Sequence, residues 1–229
     1  MIKRDENGII VQHSALDPRY ADGGDSAMRT GLMALVDSPM DMHRVLNFEI
    51  LPGLAVRHPS QSPWNNPNNF TRDQLIPLMA GAKNSGYINM NKRLFKACIK
   101  RGFRAQNTEY DVPGSVKKFP SGADILAPSD MWFLSICASS SKSMVLLFSL
   151  CGLPWFILTL LWSTRIKPDD EQNQIICQCI ILGPLTTRIY IKLHPNYKKS
   201  VMNYWSGWRD QPEIGQALII KAETICGQT

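Results

Sequence analysis

From Met144 to Trp162 the chain carries no charged side chain, and Lys142, Arg165 and Lys167 flank the stretch. A run of this length and polarity cannot remain as a water-exposed helix in an isolated domain. It is either walled in by other helices or it meets a bilayer. Ser149, Gly152, Pro154 and Thr159 interrupt it. Pro154 lacks an N–H and is expected to kink or break a helix near its middle. These interruptions favour a helix enclosed in the core of a large all-α domain. A second apolar run, Ile175 to Leu185, is too short to span. A hairpin of two membrane helices is therefore not expected, and a membrane-associated chain anchored by 144–162 is the alternative.

The rest of the chain also reads as helical. Asp25 or Ser26 caps a first helix whose Met28, Leu32, Leu35 and Val36 form one apolar face. Asp25 and Arg29, four apart, pair on its surface, and Asp37-Ser38-Pro39 ends it. A second helix begins within Thr71-Arg72-Asp73-Gln74. Thr71 and Gln74 have capping-box spacing there, and Phe70 and Leu75 have staple spacing. Asn91 caps a third helix through Arg101, with Leu94, Phe95, Cys98 and Ile99 inward and Gly102 as the stop. Residues 105–130 read as loop. Asp169 or Asp170 caps a further helix that Gly183-Pro184 interrupts, and a last helix starts near Pro212 with Ile214, Leu218 and Ile225 inward. Strand-like alternation is almost absent, apart from a short extended piece at Ile9-Ile10-Val11. The expectation is a single helical domain over 1–229, with an irregular N-terminal segment at 1–24.

Hydrophobic residues make up 44% of the chain and charged residues 19%, which excludes disorder throughout. The net charge is +6, with one local concentration at Lys92, Arg93, Lys96, Lys100, Arg101 and Arg104. That concentration reads as a solvated helix face, with phosphate or a polyhydroxylated or acidic polymer as the alternative partner. Only Phe95 and Phe103 fall among these charges, short of the interleaving that a single-strand platform requires, so nucleic acid is not an expected partner. The six cysteines mostly lie in apolar runs and are expected as reduced thiols in a cytosolic setting. No Cys/His spacing matches a zinc site and no phosphate-binding glycine motif occurs, so neither metal nor cofactor is expected. The N-terminus lacks the apolar segment of a secretory signal, which points to the cytoplasm.

The candidate site is the polar stretch Arg57 to Gln74 together with the first helix start. It gathers Asp22, Asp25 and Arg29, then Arg57, His58, Trp64 and Asn65, then Asn69, Arg72 and Asp73. Each group lies at a loop-to-helix junction, and helices packed with these ends on one side would bring the groups to one rim. Carboxylates on such a rim can act as general acid and base. Asn, Arg and Trp suit sugar hydroxyls, acidic groups and pyranose faces. Only His58 among the four histidines sits in this segment. Read structurally, the same residues are caps and turn formers, with Arg29 paired to Asp25.

The stretches Gly24-Asp25-Ser26-Ala27-Met28-Arg29-Thr30-Gly31 and Trp64-Asn65-Asn66-Pro67-Asn68-Asn69-Phe70-Thr71-Arg72-Asp73-Gln74 resemble inner-helix starts of (α/α) toroid proteins. That group includes many glycoside hydrolases and polysaccharide lyases. The chain is short for a complete toroid, so the resemblance implies a partial one. It also implies a site at inner-helix N-termini that binds or cleaves a glycan-like polymer. Asp25 and Asp73 would be the carboxylates, Arg29, Arg57, His58, Asn65, Asn69 and Arg72 would position substrate, and Trp64 would stack on it. The rival expectation is a non-catalytic structural or interaction component of a viral or secreted assembly, with protein partners in place of a glycan.

Overall fold

The computed structural model describes residues 2–12, 23–61, 64–65, 70–105, 125–163, 170–208 and 211–227. It is all-α in character. Ten helices are present among the described residues: α1 (Ser26–Leu35), α2 (Pro39–Arg44), α3 (Arg72–Asn84), α4 (Ile88–Lys100), α5 (Pro128–Cys137), α6 (Lys142–Ser163), α7 (Asp170–Leu182), α8 (Pro184–Leu193), α9 (Tyr197–Asn203) and α10 (Pro212–Gly227). A small antiparallel hairpin, β1 (Glu49–Leu51) with β2 (Leu54–Ala55), turns at Gly53. One buried cluster extends from Ile9 to Ala222 and joins most of these elements.

The centre of the fold is a parallel pair, α1 and α3. Met28 N–H donates to Gln74 Oε1 at 3.0 Å near one end, and Asn84 Nδ2 donates to the Ala34 carbonyl at 2.9 Å near the other. Between them the backbones nearly touch. A Cβ on Gly31 would lie 2.4 Å from the Pro77 carbonyl oxygen, and one on Gly81 would lie 2.4 Å from the Gly31 oxygen. Only glycine at both positions permits this approach. The predicted inward residues Met28, Leu32 and Leu35 are fully buried against it. Helix α3 runs through Pro77, and Phe70 and Leu75 are both buried at its start.

Several local expectations change in the structure. Asp25 occupies the N-cap position of α1 without a side-chain capping bond. Arg29 is fully buried, so its pair with Asp25, at 3.7 Å, is not a surface pair. Thr71 and Gln74 form no capping box, because Gln74 turns its amide toward α1. Helix α4 begins at Ile88, one turn before the expected cap. Asn91 therefore lies inside it, fully buried, donating to the carbonyls of Met79 at 2.9 Å and Cys137 at 3.2 Å. That single amide ties α3, α4 and α5 together.

Helix α5 starts inside the stretch 105–130 expected to be loop and runs on through Cys137. Its signal was present in Pro128 at the first helical position and in Asp130, which accepts from Ala127 N–H at 2.9 Å. The Gly183 break separates α7 from α8 as expected, with Gly183 at φ +104. The cysteines among these elements are free thiols, and burial pushes Cys98 up to about 12. The caps expected at Asp169 or Asp170 fall outside the described side chains, and Asp22 and Asn69 fall outside the described residues.

The largest departure is α6. It continues through Pro154 as one helix of 22 residues, and it is not enclosed by the core. Its most apolar stretch, Lys142–Leu161, has a mean hydropathy of 2.3, and only 17% of it is buried. Apolar residues all round a helix predict neighbours on all sides. The fold supplies neighbours on one side only.

Candidate functional site

Two regions meet the description of a site: the polar junction at the N-termini of α1 and α3, and the outward face of α6.

The junction exists because α1 and α3 are parallel, which places Asp25 and Asp73 at the same end. Gln74 links them: its Nε2 donates to Asp25 Oδ1 at 3.0 Å and to Asp73 Oδ2 at 3.2 Å. Arg57 reaches the same place from the loop. Its guanidinium donates to the Gly24 carbonyl at 2.9 Å and to Thr71 Oγ1 at 2.8 Å, and lies 3.8 Å from Asp25 Oδ1. The Thr71 hydroxyl in turn donates to Asp73 Oδ1. Backbone bonds hold the loop in register, from Ala27 N–H to the Arg57 carbonyl at 3.0 Å and from His58 N–H to the Trp64 carbonyl at 3.1 Å.

Asp25, Asp73, Arg57, Trp64 and Arg29 thus converge, as the rim expectation required. Their exposure differs from what substrate contact requires. Arg29 is fully buried and donates to Gln12 Oε1 at 2.7 Å. His58 is 1% exposed; its Nδ1 accepts from Gln61 N–H at 3.0 Å and its Nε2 lies 3.2 Å from Asp5. Trp64 is 7% exposed, with Arg57 5.9 Å over its ring and Gly24 against its edge. No indole face is available there for a sugar to stack on. Arg72 points away from the junction toward Asp130, at 3.9 Å. Asp130 also accepts from Gln178 Nε2 at 3.1 Å, which connects α3, α5 and α7. Asn65 is exposed, and the structural role of Asn69 lies outside the described residues.

Gln74 was visible in the sequence only as one half of a capping box. Its role as the bridge between two carboxylates depends on a helix far away in the chain, so no local signal exposes it. The partly open groups at the junction are Asp25 and Arg57, with side-chain exposures of 15% and 18%, and Asp73, which is half-buried. Chemically, each carboxylate of the junction accepts hydrogen bonds from neighbouring side chains, and the ensemble clamps the loop onto the helix pair.

The face of α6 is organised differently. Its contacts with the body recur every fourth residue. The Phe148 ring meets Phe95 at 5.7 Å and Phe103 at 6.5 Å, both edge-on. Gly152 lies so close to α5 that a Cβ there would stand 2.3 Å from Trp132 Cβ. Phe156 meets Trp132 at 5.9 Å, and Leu160 is buried. The spacing 148, 152, 156, 160 is one stripe of a helix. The other side presents Leu146, Leu147, Leu150, Leu153, Ile157, Leu158 and Leu161, each between 43% and 67% exposed. Two hydroxyls within α6 turn back on its own backbone: Ser149 Oγ donates to the Leu146 carbonyl at 2.7 Å and Thr159 Oγ1 to the Trp155 carbonyl at 2.9 Å.

Among the described residues no group of His, Cys, Asp and Glu is arranged to hold a metal ion. No protein-family model, curated protein or solved structure matches this chain.

Proposed function

We propose that this is a membrane-associated helical protein, and that α6 is the element that enters the bilayer, lying along the flank of the helical body with its outward face in the hydrocarbon boundary. The observation that carries this reading is the exposed face itself. A contiguous apolar surface of this size marks a membrane or protein contact. The exposed fractions of its Leu, Ile and Trp side chains equal roughly four to five whole side chains. At about 2 kcal/mol each, leaving them in water costs about 9 kcal/mol, an upper figure for what embedding recovers. Lipid rather than protein is favoured because the face carries no charged group.

The helix is about 33 Å long at 1.5 Å per residue, enough to cross a bilayer by length. The body argues for an in-plane position. Phe148 lies early in α6 and packs on α4, whose Lys92, Lys96 and Lys100 are exposed. A crossing with the body in place would carry those lysines toward the hydrocarbon, at high cost. In the plane of the interface they stay at headgroup level.

Cys151, exposed on α6, provides the test. With Cys226 replaced by Ser, a fluorophore on Cys151 is expected to be quenched by lipid-borne nitroxides and shielded from aqueous iodide once vesicles are added. Unchanged iodide quenching on vesicle addition would rule the reading out.

A second reading, a partial (α/α) toroid that holds a glycan-like polymer at the α1/α3 junction, is supported by one observation. Two carboxylates stand one amide apart at the N-termini of parallel helices. Under it, wild type turns over a member of a glycan panel, and Asp25→Asn and Asp73→Asn fold normally but lose turnover. Absence of any turnover or binding by wild type removes it.

A further inference from the structure

Helix α4 carries the densest positive charge in the chain, and the structure sorts that charge into two groups. Arg93 is committed to the hairpin, where Nε donates to Glu49 Oε1 at 2.9 Å. Arg101 is committed to the backbone, donating to the Gly53 carbonyl at 3.0 Å and the Ala105 carbonyl at 3.1 Å. Lys92, Lys96 and Lys100 are exposed. They lie at i, i+4 and i+8 and so form one stripe.

The position of the stripe follows from its two borders. On one side, Phe95 packs against Phe148 of α6 at 5.7 Å. On the other, the β1–β2 hairpin covers α4 at Ala97, whose Cβ is 3.0 Å from where a Gly53 Cβ would stand. At 100° per residue the lysines fall on the arc between these borders, next to the flank of α6. Apolar residues frame the same edge. Phe103 is 46% exposed, Ile125 51% and Leu51 60%. Phe103 has φ +64, an uncommon backbone state for a side chain of its size. It is held there by Phe103 N–H to the Cys98 carbonyl at 2.9 Å and Leu126 N–H to the Phe103 carbonyl at 3.0 Å. Its ring also meets Phe148 edge-on at 6.5 Å. The result is a row of ammonium groups beside an apolar helix, bordered by exposed apolar side chains.

We propose that Lys92, Lys96 and Lys100 bind anionic phospholipid headgroups of the same leaflet in which α6 lies, with Phe103 entering beside them. This rests on the in-plane reading of α6 and adds the lipid class to it. Charge complementarity and continuity with the α6 face select the bilayer surface as the occupant. Each lysine near an anionic surface strengthens binding by about fivefold, so the three together contribute about 100-fold.

The test uses the full chain with vesicles of phosphatidylcholine alone and of phosphatidylcholine mixed with phosphatidylserine, at low and high salt. The expected result is partition into both, stronger with phosphatidylserine, the gain falling with salt. The triple variant Lys92→Gln, Lys96→Gln, Lys100→Gln is expected to lose about 100-fold on the mixed vesicles and nothing on phosphatidylcholine. A Phe103→Trp variant is expected to shift its emission to the blue on the mixed vesicles. Partition into phosphatidylcholine with no gain from phosphatidylserine, or a gain the triple variant retains, overturns this inference alone. Absence of partition into either vesicle overturns the α6 reading as well. Salt-sensitive capture of duplex DNA in place of the vesicle gain assigns the stripe to nucleic acid and also overturns the proposal.

Discussion

Leu150 is the most exposed large side chain on α6 among the described residues, at 67%, and lies between Leu146, Leu147 and Leu153 on the outward face. Replacing it with Asp tests whether that face leaves water. Its exposed portion is worth about 1.3 kcal/mol on embedding, two thirds of a leucine at about 2 kcal/mol. An aspartate in the apolar boundary costs up to about 3 kcal/mol more. Together these amount to about 3–4 kcal/mol, a fall of roughly 10²–10³ in vesicle partition. The side chain touches none of the body-facing stripe, so folding stability should stay within about 0.5 kcal/mol of wild type. Flotation with phosphatidylcholine vesicles, paired with urea denaturation, measures both quantities. A variant that floats like wild type would refute the reasoning. So would a wild type that forms a defined oligomer in detergent-free buffer and that Leu150→Asp converts to a monomer, because the apolar face would then be a protein contact.

Other outcomes follow from the body of the fold. Gly31→Ala places a methyl 2.4 Å from the Pro77 carbonyl oxygen and should destabilise the α1/α3 pair by about 3 kcal/mol, read by urea denaturation. Asn91→Leu removes the bonds to the Met79 and Cys137 carbonyls and should cost about 2 kcal/mol; a loss below about 0.5 kcal/mol would mean the amide is not a tie between helices. His194 is held below its ordinary value of 6.5, because burial outweighs its hydrogen bond to the Leu160 backbone. A depressed folded value means the unfolded chain takes up the proton first. Stability is therefore fully present above 6.5 and declines as pH falls through the folded value, and His194→Gln should flatten that part of the profile.

The helices legible in the sequence are those whose signals are local. Met28, Leu32 and Leu35 repeat at helical spacing, Gly102 and Gly183-Pro184 stop helices where they stand, and Pro212 opens the last one. The start of α5 is hard to read because Pro128 also serves as loop punctuation, and 131–137 carry no charge pattern that marks a helix face. The candidate rim was legible as a set of residue types at helix starts. Its convergence was not, because that depends on α1 and α3 running parallel, and the glycines that allow it, Gly31 and Gly81, are fifty residues apart. Gln74 and Asn91 looked like caps because capping is the local use of such side chains. Each instead bonds across helices, a choice made only when a neighbour brings an unsatisfied backbone group within reach.

Local sequence makes the chain helical, sets where most helices stop, and leaves residues 144–162 without a charged side chain. Those properties follow from backbone preference and side-chain hydropathy, which neighbours along the chain set. Tertiary structure alone decided which groups meet at the helix ends, that Arg29, His58 and Trp64 are enclosed, and that α6 shows most of its apolar surface to the outside. Hydropathy specifies the free energy a helix gains by leaving water, but not whether protein or lipid replaces the water, because burial depends on every other element that packs beside it.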